Sequence, residues 1–271
     1  MSKKAPRKAL LQEIRTYYRG HARATLPWRR TRDPYRILVS EVMLQQTQVD
    51  RVIPFYERFI KKFPNARVLA RTPLRNVLKA WQGLGYNRRA KHLRDAAKII
   101  AKKKFPKSTA EIEQLPGVGH YTARAVAAFA YNKPEVFIET NIRTVFLHHF
   151  FQKKNKVSDA AILPLVAQTL KESRMQPREF YWALMDYGSY LKSQGIRLNS
   201  QSKHYAKQSK FEGSARQLRG AILREIIAHH ATLAFLLHRI PRSREEMIRE
   251  LSRLTAEGLI KLHGRFFEIS K

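Results

Sequence analysis

The segment Leu115-Pro116-Gly117-Val118-Gly119 has residue types and a spacing that suit phosphate binding. It lies between two stretches of helical periodicity, and its glycines allow a tight turn that another group can approach closely. Free N–H groups at the start of the following helix form a ready site for an anion. The predicted phosphate-binding residues are Gly117, Val118, Gly119, Tyr121 and Thr122. By itself, the motif also fits an ordinary turn between two helices.

Two carboxyl groups are candidates for acid–base chemistry. Glu41 lies within residues 37–44, where apolar residues recur at helical spacing. Burial there raises the pKa of a carboxyl toward the value that a general acid needs. The alternative is a helical glutamate that faces solvent. The second carboxyl, Glu139, precedes Thr140 and Asn141, and Asn141 also suits the N-cap of a helix.

The chain carries a large excess of positive charge. Its 271 residues include 53 Lys and Arg against 21 Asp and Glu, for a formal net charge of +32. Because Lys and Arg release condensed counterions when they neutralise phosphates, nucleic acid is the expected partner. The alternatives are a ribosomal-type RNA binder, a membrane-surface protein or a merely basic enzyme. Hydrophobic residues make up 44% of the chain, which is enough for a sizeable core and excludes a wholly disordered protein.

The sequence contains no cysteine. A disulfide framework, a thiolate nucleophile and a Cys-ligated zinc or iron–sulfur site are therefore excluded within this chain. The pairs His148-His149 and His229-His230 lack the spacing of a zinc site, so we expect no metal. No run approaches the roughly 18 to 20 apolar residues of a membrane span, and no signal-peptide core is present. We expect an intracellular protein, cytoplasmic and associated with DNA, that binds no membrane.

Helical periodicity dominates the sequence up to residue 258 and predicts a mainly α fold. Residues 193–213 are polar and basic and predict a linker or surface loop. After them, helices are predicted over 214–229, 232–238 and 243–256, followed by two short strands around Gly264. This order is typical of a winged helix-turn-helix, in which the helix from Ser243 would be the recognition helix. The alternative is that these helices only pack against the main body.

The motif LPGVGHYTA is accompanied by four further segments in a fixed order. These are LPWRRTRDPYRILVSEVMLQQTQVDRVIPFYERF, GLGYNRRA, VFIETNIRTVF and LMDYGSY. Together they resemble the helix-hairpin-helix base-excision glycosylases, and within them the MutY-type adenine DNA glycosylases, over roughly residues 10–192. The resemblance implies a two-lobed fold with DNA and an extruded base between the lobes, and a monomer. We predict a glycosylase domain over 1–192, a basic loop over 193–213 and a winged-helix-like segment over 214–271.

The resemblance implies a hydrolytic site built on the two carboxyl groups. Glu41 would be the general acid that protonates the adenine ring, and Asn141 would bond near the sugar and water. Glu139 stands where the family carries Asp and would stabilise the oxocarbenium ion, although its extra methylene shifts the carboxylate by roughly an ångström. Tyr121 stands where bifunctional relatives carry a nucleophilic Lys. Since a phenol forms Schiff bases poorly, base release without strand cleavage is expected.

Residues around the target base are also implied by the resemblance. Gln46 would insert into the duplex and contact the orphaned base, with Gln45 beside it, and Tyr86 would wedge on the other side. Otherwise, Gln46 is a solvated side chain and Tyr86 a core residue. The implied base-pocket residues are Trp28, Arg29, Leu44 and Asp186. Asp186 would reach an exocyclic amine, whereas Trp28 equally suits a core aromatic.

Two parts of the family pattern are missing from the sequence. The four cluster cysteines of the family correspond to Lys192, Asn199, Ser202 and Gln208, so no iron–sulfur cluster is expected and no cofactor is predicted. The roughly 60 residues after Gly213 are too few and too helical for the Nudix-like domain that recognises 8-oxoguanine. The specificity for the opposite base is therefore open.

Three hypotheses for function follow from these features. The first is a monofunctional glycosylase that removes adenine opposite 8-oxoguanine or guanine in double-stranded DNA. The second is a uracil or thymine glycosylase that acts on mispairs with guanine; the LQQTQ segment and Glu41 favour adenine. The third is a catalytically weak, lesion-sensing DNA-binding protein, motivated by Glu139, the missing cluster and the winged-helix-like segment.

Overall fold

Helices make up almost all of the regular structure, so the predicted mainly α fold is confirmed. This computed structural model describes residues 4–152, 154–203, 205 and 210–271. The α-helices are α1 (Lys4–His21), α2 (Pro34–Leu44), α3 (Val49–Lys62), α4 (Ala66–Arg71), α5 (Leu74–Trp81), α6 (Arg88–Lys103), α7 (Thr109–Glu113), α8 (His120–Tyr131), α9 (Thr140–Phe150), α10 (Asp159–Ser173), α11 (Pro177–Ser193), α12 (Ala215–Ala228), α13 (Leu233–Arg239) and α14 (Arg244–Ala256). Short 3-10 helices span Pro27–Arg29 and Leu198–Gln201. None of the helices in the described ranges is both long and apolar enough to cross a membrane.

The chain packs into two compact units, each assembled from separate stretches of sequence. The first unit contains the described residues of Met1–Ile37, Lys107–Glu113 and Val118–Lys207. The second unit contains the described residues of Leu38–Pro106, Gln114–Gly117 and Gln208–Lys271. The units follow packing rather than order along the chain, and the predicted domain boundaries at 192 and 213 stay predictions.

Aromatic side chains fill the core of the first unit. Phe137 stacks on Tyr181 with ring centroids 3.9 Å apart, and the Tyr181 hydroxyl donates a 2.6 Å hydrogen bond to the carbonyl oxygen of Glu135. Burial raises the pKa of Tyr181 well above its usual value. At the N-terminus, α1 is held to α10 by a two-pronged ion pair, in which Arg7 donates to both carboxylate oxygens of Glu172 at 3.0 and 2.9 Å.

The second unit has its own aromatic core, in which the rings of Phe59 and Trp81 meet edge to face at 5.7 Å. Helix α12 packs on α5 and α14, and the side chain of Arg75 donates a 2.8 Å hydrogen bond to the carbonyl oxygen of Ile227. Helix α12 thus packs against α5 within this unit.

The predicted β-hairpin at the C-terminus is present. Strands β1 (Ile260–His263) and β2 (Phe266–Ile269) pair antiparallel, with Ile260 opposite Ile269. Gly264 lies in the turn with φ +58°, a conformation that favours glycine. The predicted order of three helices and a hairpin is confirmed, and the role of α14 as a recognition helix stays a prediction.

Part of the predicted loop at residues 193–213 has regular structure. It contains the second 3-10 helix. At the end of that helix, the Val157 N–H donates a 2.9 Å hydrogen bond to the carbonyl oxygen of Gln201. The Lys203 N–H donates a bond of the same length to the carbonyl oxygen of Val157. These bonds place residues up to Lys203 in the first unit. Residues 204 and 206–209 of this loop lie outside the described residues.

Candidate active site

The turn between α7 and α8 has the backbone geometry that its glycines predict. Gly117 adopts φ +74°, and a Cβ atom there would lie 2.6 Å from the Cβ of His92, so only glycine fits. Gly119 is the N-cap of α8 in an extended conformation. The first N–H groups of a helix have no partner within it and attract anions. The side chain of Thr122 is buried, so a phosphate contact there would use backbone atoms.

Glu139 is the N-cap of α9, and hydrogen bonds reach both of its carboxylate oxygens. Oε1 accepts from the backbone N–H groups of Asn141 and Ile142 at 2.7 and 2.9 Å. Oε2 accepts from the Thr140 hydroxyl at 3.0 Å and from the Asn141 side-chain amide at 3.3 Å. The positive end of the helix stabilises a negative charge at this position. The alternative in which Asn141 caps the helix is wrong, because Asn141 is already its second residue.

Lys192 joins this group from α11, a contact that the sequence did not indicate. Its ammonium donates a 2.7 Å hydrogen bond to the side-chain oxygen of Asn141. Burial lowers the pKa of Lys192, and the nearby charge of Glu139 partly opposes that shift. Lys192, Asn141 and Glu139 therefore form one hydrogen-bonded chain in the first unit.

Gly188 explains how α11 comes so close to α9. A Cβ atom at this position would lie within 2.7 Å of the carbonyl carbon of Asn141, which is closer than real Cβ atoms approach. The two helices therefore touch at the backbone, and Lys192, one turn after Gly188, reaches the side chain of Asn141.

Tyr121 lies in the first turn of α8, in the first unit. Its ring is half-buried and meets Phe137 edge to face, with centroids 5.7 Å apart. Phe137 in turn stacks on Tyr181, so the ring of Tyr121 is held by the aromatic core.

Two of the predicted base-pocket residues in the first unit, Arg29 and Asp186, form an ion pair. Arg29 donates to both oxygens of Asp186 at 2.7 and 2.9 Å, and the Arg23 side chain adds a 2.6 Å bond. The side chains of Asp186 and Arg29 are only 1% and 4% exposed, and Trp28 is buried. These contacts make Asp186 the centre of a buried ion pair, and its recognition of an exocyclic amine stays a prediction.

In the second unit, Glu41 is buried inside α2. It is 5% exposed, as its apolar neighbours predict, and the solvent-facing alternative is wrong. Leu44 ends the helix, and Gln45 and Gln46 follow it, with Gln46 exposed.

Arg89 organises the end of α2 within the second unit. One of its guanidinium nitrogens donates to the carbonyl oxygens of Val42, Met43 and Gln45 at 2.8, 3.0 and 2.7 Å. These include the carbonyls that a helix end leaves without partners. Its guanidinium also lies 5.4 Å from the ring centroid of Tyr86. Burial lowers the pKa of Arg89 to about 10, so it remains charged at neutral pH.

The residues at the four cluster positions do not fit an iron–sulfur cluster. Lys192 presents an ammonium that is bonded to Asn141, and Asn199 and Ser202 offer neutral oxygen and nitrogen groups rather than thiolates. Gln208 lies outside the described residues. Within the part of the chain that the structure describes, no group of three or more His, Cys, Asp or Glu could hold a metal ion.

Residues 39–164 match the family model described as HhH-GPD superfamily base excision DNA repair protein. Over these residues the chain is similar to the HhH-GPD superfamily. The matched HhH-GPD region includes Glu41, the hairpin, Tyr121, Glu139 and Asn141.

Curated relatives and solved structures are consistent with this match. The chain is 38% identical over 185 residues to an adenine DNA glycosylase of Buchnera aphidicola, covering 66% of this chain and 52% of the relative. It is 40% identical over 181 residues to an adenine DNA glycosylase of Mycolicibacterium smegmatis, covering 65% and 61%. The chain thus spans about half to three fifths of these relatives.

A solved thermostable thymine-DNA glycosylase aligns with a TM-score of 0.62 at 27% identity, covering 76% of this chain and 99% of that one. An endonuclease III bound to DNA aligns with a TM-score of 0.55 at 20% identity, covering 70% and 86%, and shows the same fold.

Gly188→Ala tests the backbone contact between α9 and α11. Because the new methyl group would collide with the Asn141 carbonyl, we expect the free energy of unfolding in urea to fall by about 1–3 kcal/mol. The matched control is Gly220→Ala in α12, where no atom lies within 4 Å of the added Cβ. That variant should gain up to about 1 kcal/mol from helix propensity. Equal stabilisation by both substitutions would contradict the close contact.

Asp186→Ala tests the buried ion pair. The substitution removes the carboxylate that pairs with the buried guanidinium of Arg29. We therefore expect the free energy of unfolding to fall by about 3–5 kcal/mol. The control is Asp159→Ala, which breaks a similar two-pronged pair with Arg143, but from a carboxylate that is 30% exposed. Solvent screening should limit that loss to about 1 kcal/mol. A similar loss in both variants would argue against burial as the cause.

Proposed function

We propose that the chain is a monofunctional DNA glycosylase that excises adenine opposite 8-oxoguanine or guanine. The observation that carries this proposal is the burial of Glu41 inside the HhH-GPD region, since a buried carboxylic acid can serve as a general acid. The relatives named adenine DNA glycosylase, at 38% and 40% identity, support adenine as the base. The net charge of +32 supports double-stranded DNA as the partner. We further propose that the protein acts as a monomer and without a cofactor.

In the proposed reaction, Glu41 in its acid form donates a proton to a ring nitrogen of the extruded adenine. The bond between adenine and the sugar C1′ then breaks, and its electron pair leaves with the protonated base. The carboxylate of Glu139 stabilises the resulting oxocarbenium ion, and Asn141 orients the water that adds to C1′. That water releases a proton to solvent, Glu41 regains one from solvent, and the products are free adenine and an abasic site.

Four hydrogen bonds fix the orientation of the Glu139 carboxylate, and Lys192 fixes that of the Asn141 amide. Such fixed orientations suit a carboxylate and an amide that act on the substrate, because a small displacement of a catalytic group lowers the reaction rate.

A second candidate is excision of uracil or thymine opposite guanine. It is favoured by the likeness to the thymine-DNA glycosylase, which extends over 99% of that chain. In that case, the same fold and the same general acid, Glu41, would act on a pyrimidine base.

Single-turnover excision distinguishes the candidates. The substrates are duplexes with adenine opposite 8-oxoguanine or guanine, and with uracil or thymine opposite guanine. We expect release of adenine, slowed at least about 100-fold by Glu41→Gln because the variant cannot donate the proton. The matched control is Glu57→Gln, an exposed glutamate on α3 of the same unit, which should retain the wild-type rate. Release of only uracil or thymine would replace the proposed substrate, and binding without any release would indicate a lesion sensor.

The absence of strand cleavage is a separate expectation. Tyr121 offers a phenol where a Schiff base would need an amine, so the abasic strand should stay intact until alkali is added. Denaturing gels run with and without alkali measure this directly. Strand cleavage by the wild type that disappears in Lys192→Met would contradict the proposal and identify Lys192 as a nucleophile.

A further inference from the structure

Lys192 is a half-buried cation near the end of α11, outside the residues 39–164 that match the HhH-GPD model. Burial lowers the pKa of its ammonium, because removal of water disfavours the charged form. A long, flexible side chain also loses rotamer freedom when it is held in one place. Both costs must be offset by the groups around Lys192, and in the described part of the chain these lie at the start of α9.

Asn141 has an amide whose two ends differ in hydrogen-bonding character. The oxygen Oδ1 accepts hydrogen bonds, whereas the nitrogen Nδ2 donates them. The Lys192 ammonium, which can only donate, bonds to Oδ1 at 2.7 Å, and the Glu139 carboxylate accepts from Nδ2 at 3.3 Å. Rotation of the amide by half a turn would direct its NH2 group at the ammonium and its oxygen at the carboxylate. The two charged groups therefore select one orientation of the amide.

The orientation of Asn141 depends on Lys192 more than the orientation of Glu139 does. Oε1 of Glu139 accepts two backbone hydrogen bonds, from Asn141 and Ile142, that do not involve Lys192. The bond from the Asn141 amide to Oε2 is near the long limit for a hydrogen bond and holds the amide weakly. The bond from Lys192 is the short one. Loss of the ammonium would therefore free the amide and leave the carboxylate capped.

The charges around Lys192 favour its ammonium form on balance with one another. The negative charge of Glu139 favours the ammonium, whereas the positive charge of Arg143 on α9 disfavours it. Arg143 is itself paired with Asp159 on α10 by two hydrogen bonds at 2.9 and 2.8 Å, which offsets part of its charge. The backbone contact at Gly188 keeps α11 against α9, so Lys192 stays within reach of the amide.

We propose that Lys192 is a positioning residue for base excision, which acts by holding the Asn141 amide in the one orientation that serves the attacking water. The inference rests on the proposed function, in which Asn141 orients the water that adds to C1′. With its oxygen bound to Lys192, the amide directs one N–H at Glu139 and has a second N–H for the oxygen of that water. Lys192 therefore sets the rate of the chemical step and not the affinity for DNA.

Separate measurements of rate and affinity test this role. Single-turnover excision at saturating protein gives the rate of the chemical step, and fluorescence anisotropy gives Kd for a duplex with a tetrahydrofuran abasic analogue opposite guanine. Because Lys192→Met removes the charge and keeps a long side chain, we expect excision to slow at least about tenfold and Kd to change less than about threefold. The matched control, Lys171→Met, removes an exposed charge from α10 of the same unit and should retain the wild-type rate. A wild-type rate in Lys192→Met would overturn the proposal.

A double-mutant cycle tests whether Lys192 acts through Asn141. In Asn141→Ala the amide is already absent, so addition of Lys192→Met should slow excision by less than about a further twofold. A further slowing as large as that in the wild-type background would overturn the proposal, since Lys192 would then act by another route.

Chemical rescue separates the charge of Lys192 from its packing, and it decides the question even if Lys192→Met is less stable. At constant ionic strength, propylammonium should raise the excision rate of Lys192→Ala at least about fivefold, whereas propanol, a neutral molecule of similar shape, should not. Equal effects of the two compounds, including no effect of either, would overturn the proposal.

The outcomes distinguish this inference from the proposed function. A wild type that releases no base overturns the glycosylase activity and this inference together. If the wild type releases uracil or thymine, the proposed substrate falls, and the same variants are compared on that duplex. A wild type that releases a base no faster than Lys192→Met overturns this inference alone.

Discussion

The backbone contact between α11 and the first turn of α9 determines the geometry of the polar groups in the first unit. Because no side chain fits at Gly188, the two helices lie close enough for Lys192 to bond to Asn141. The start of α9 is thereby fixed, and Glu139 caps it with both oxygens in use.

The distribution of charge follows from the small number of acidic residues. With 21 acidic against 53 basic side chains, the Lys and Arg of the chain cannot be neutralised one for one by its own carboxylates. Several carboxylates are committed to internal pairs, such as Asp186 with Arg29 and Glu250 with Arg253. The remaining positive charge repels itself within the compact state, and a polyanion relieves that repulsion. The charge therefore favours binding of a polyanion rather than stability of the free protein.

Two half-buried arginines hold backbone carbonyls and an aromatic ring in place in the second unit. Arg89 donates hydrogen bonds to the carbonyl oxygens at the end of α2, and these oxygens stabilise its positive charge. The same residue contacts Tyr86, which Arg216 contacts from α12. The C-terminal segment has the order of elements of a winged helix, and its first helix supplies this contact through Arg216.

Local patterns in the sequence determined the helices, the hairpin turn at Gly117 and the C-terminal strands, because periodicity and left-handed glycines act over a few residues. The burial of Glu41 was predictable for the same reason, from its apolar neighbours. Only the tertiary structure decided that Glu139, not Asn141, caps α9, since both types can cap and packing selects between them. It also decided the pairing of Tyr86 with Arg216, 130 positions apart, because such contacts depend on how helices pack and leave no local pattern.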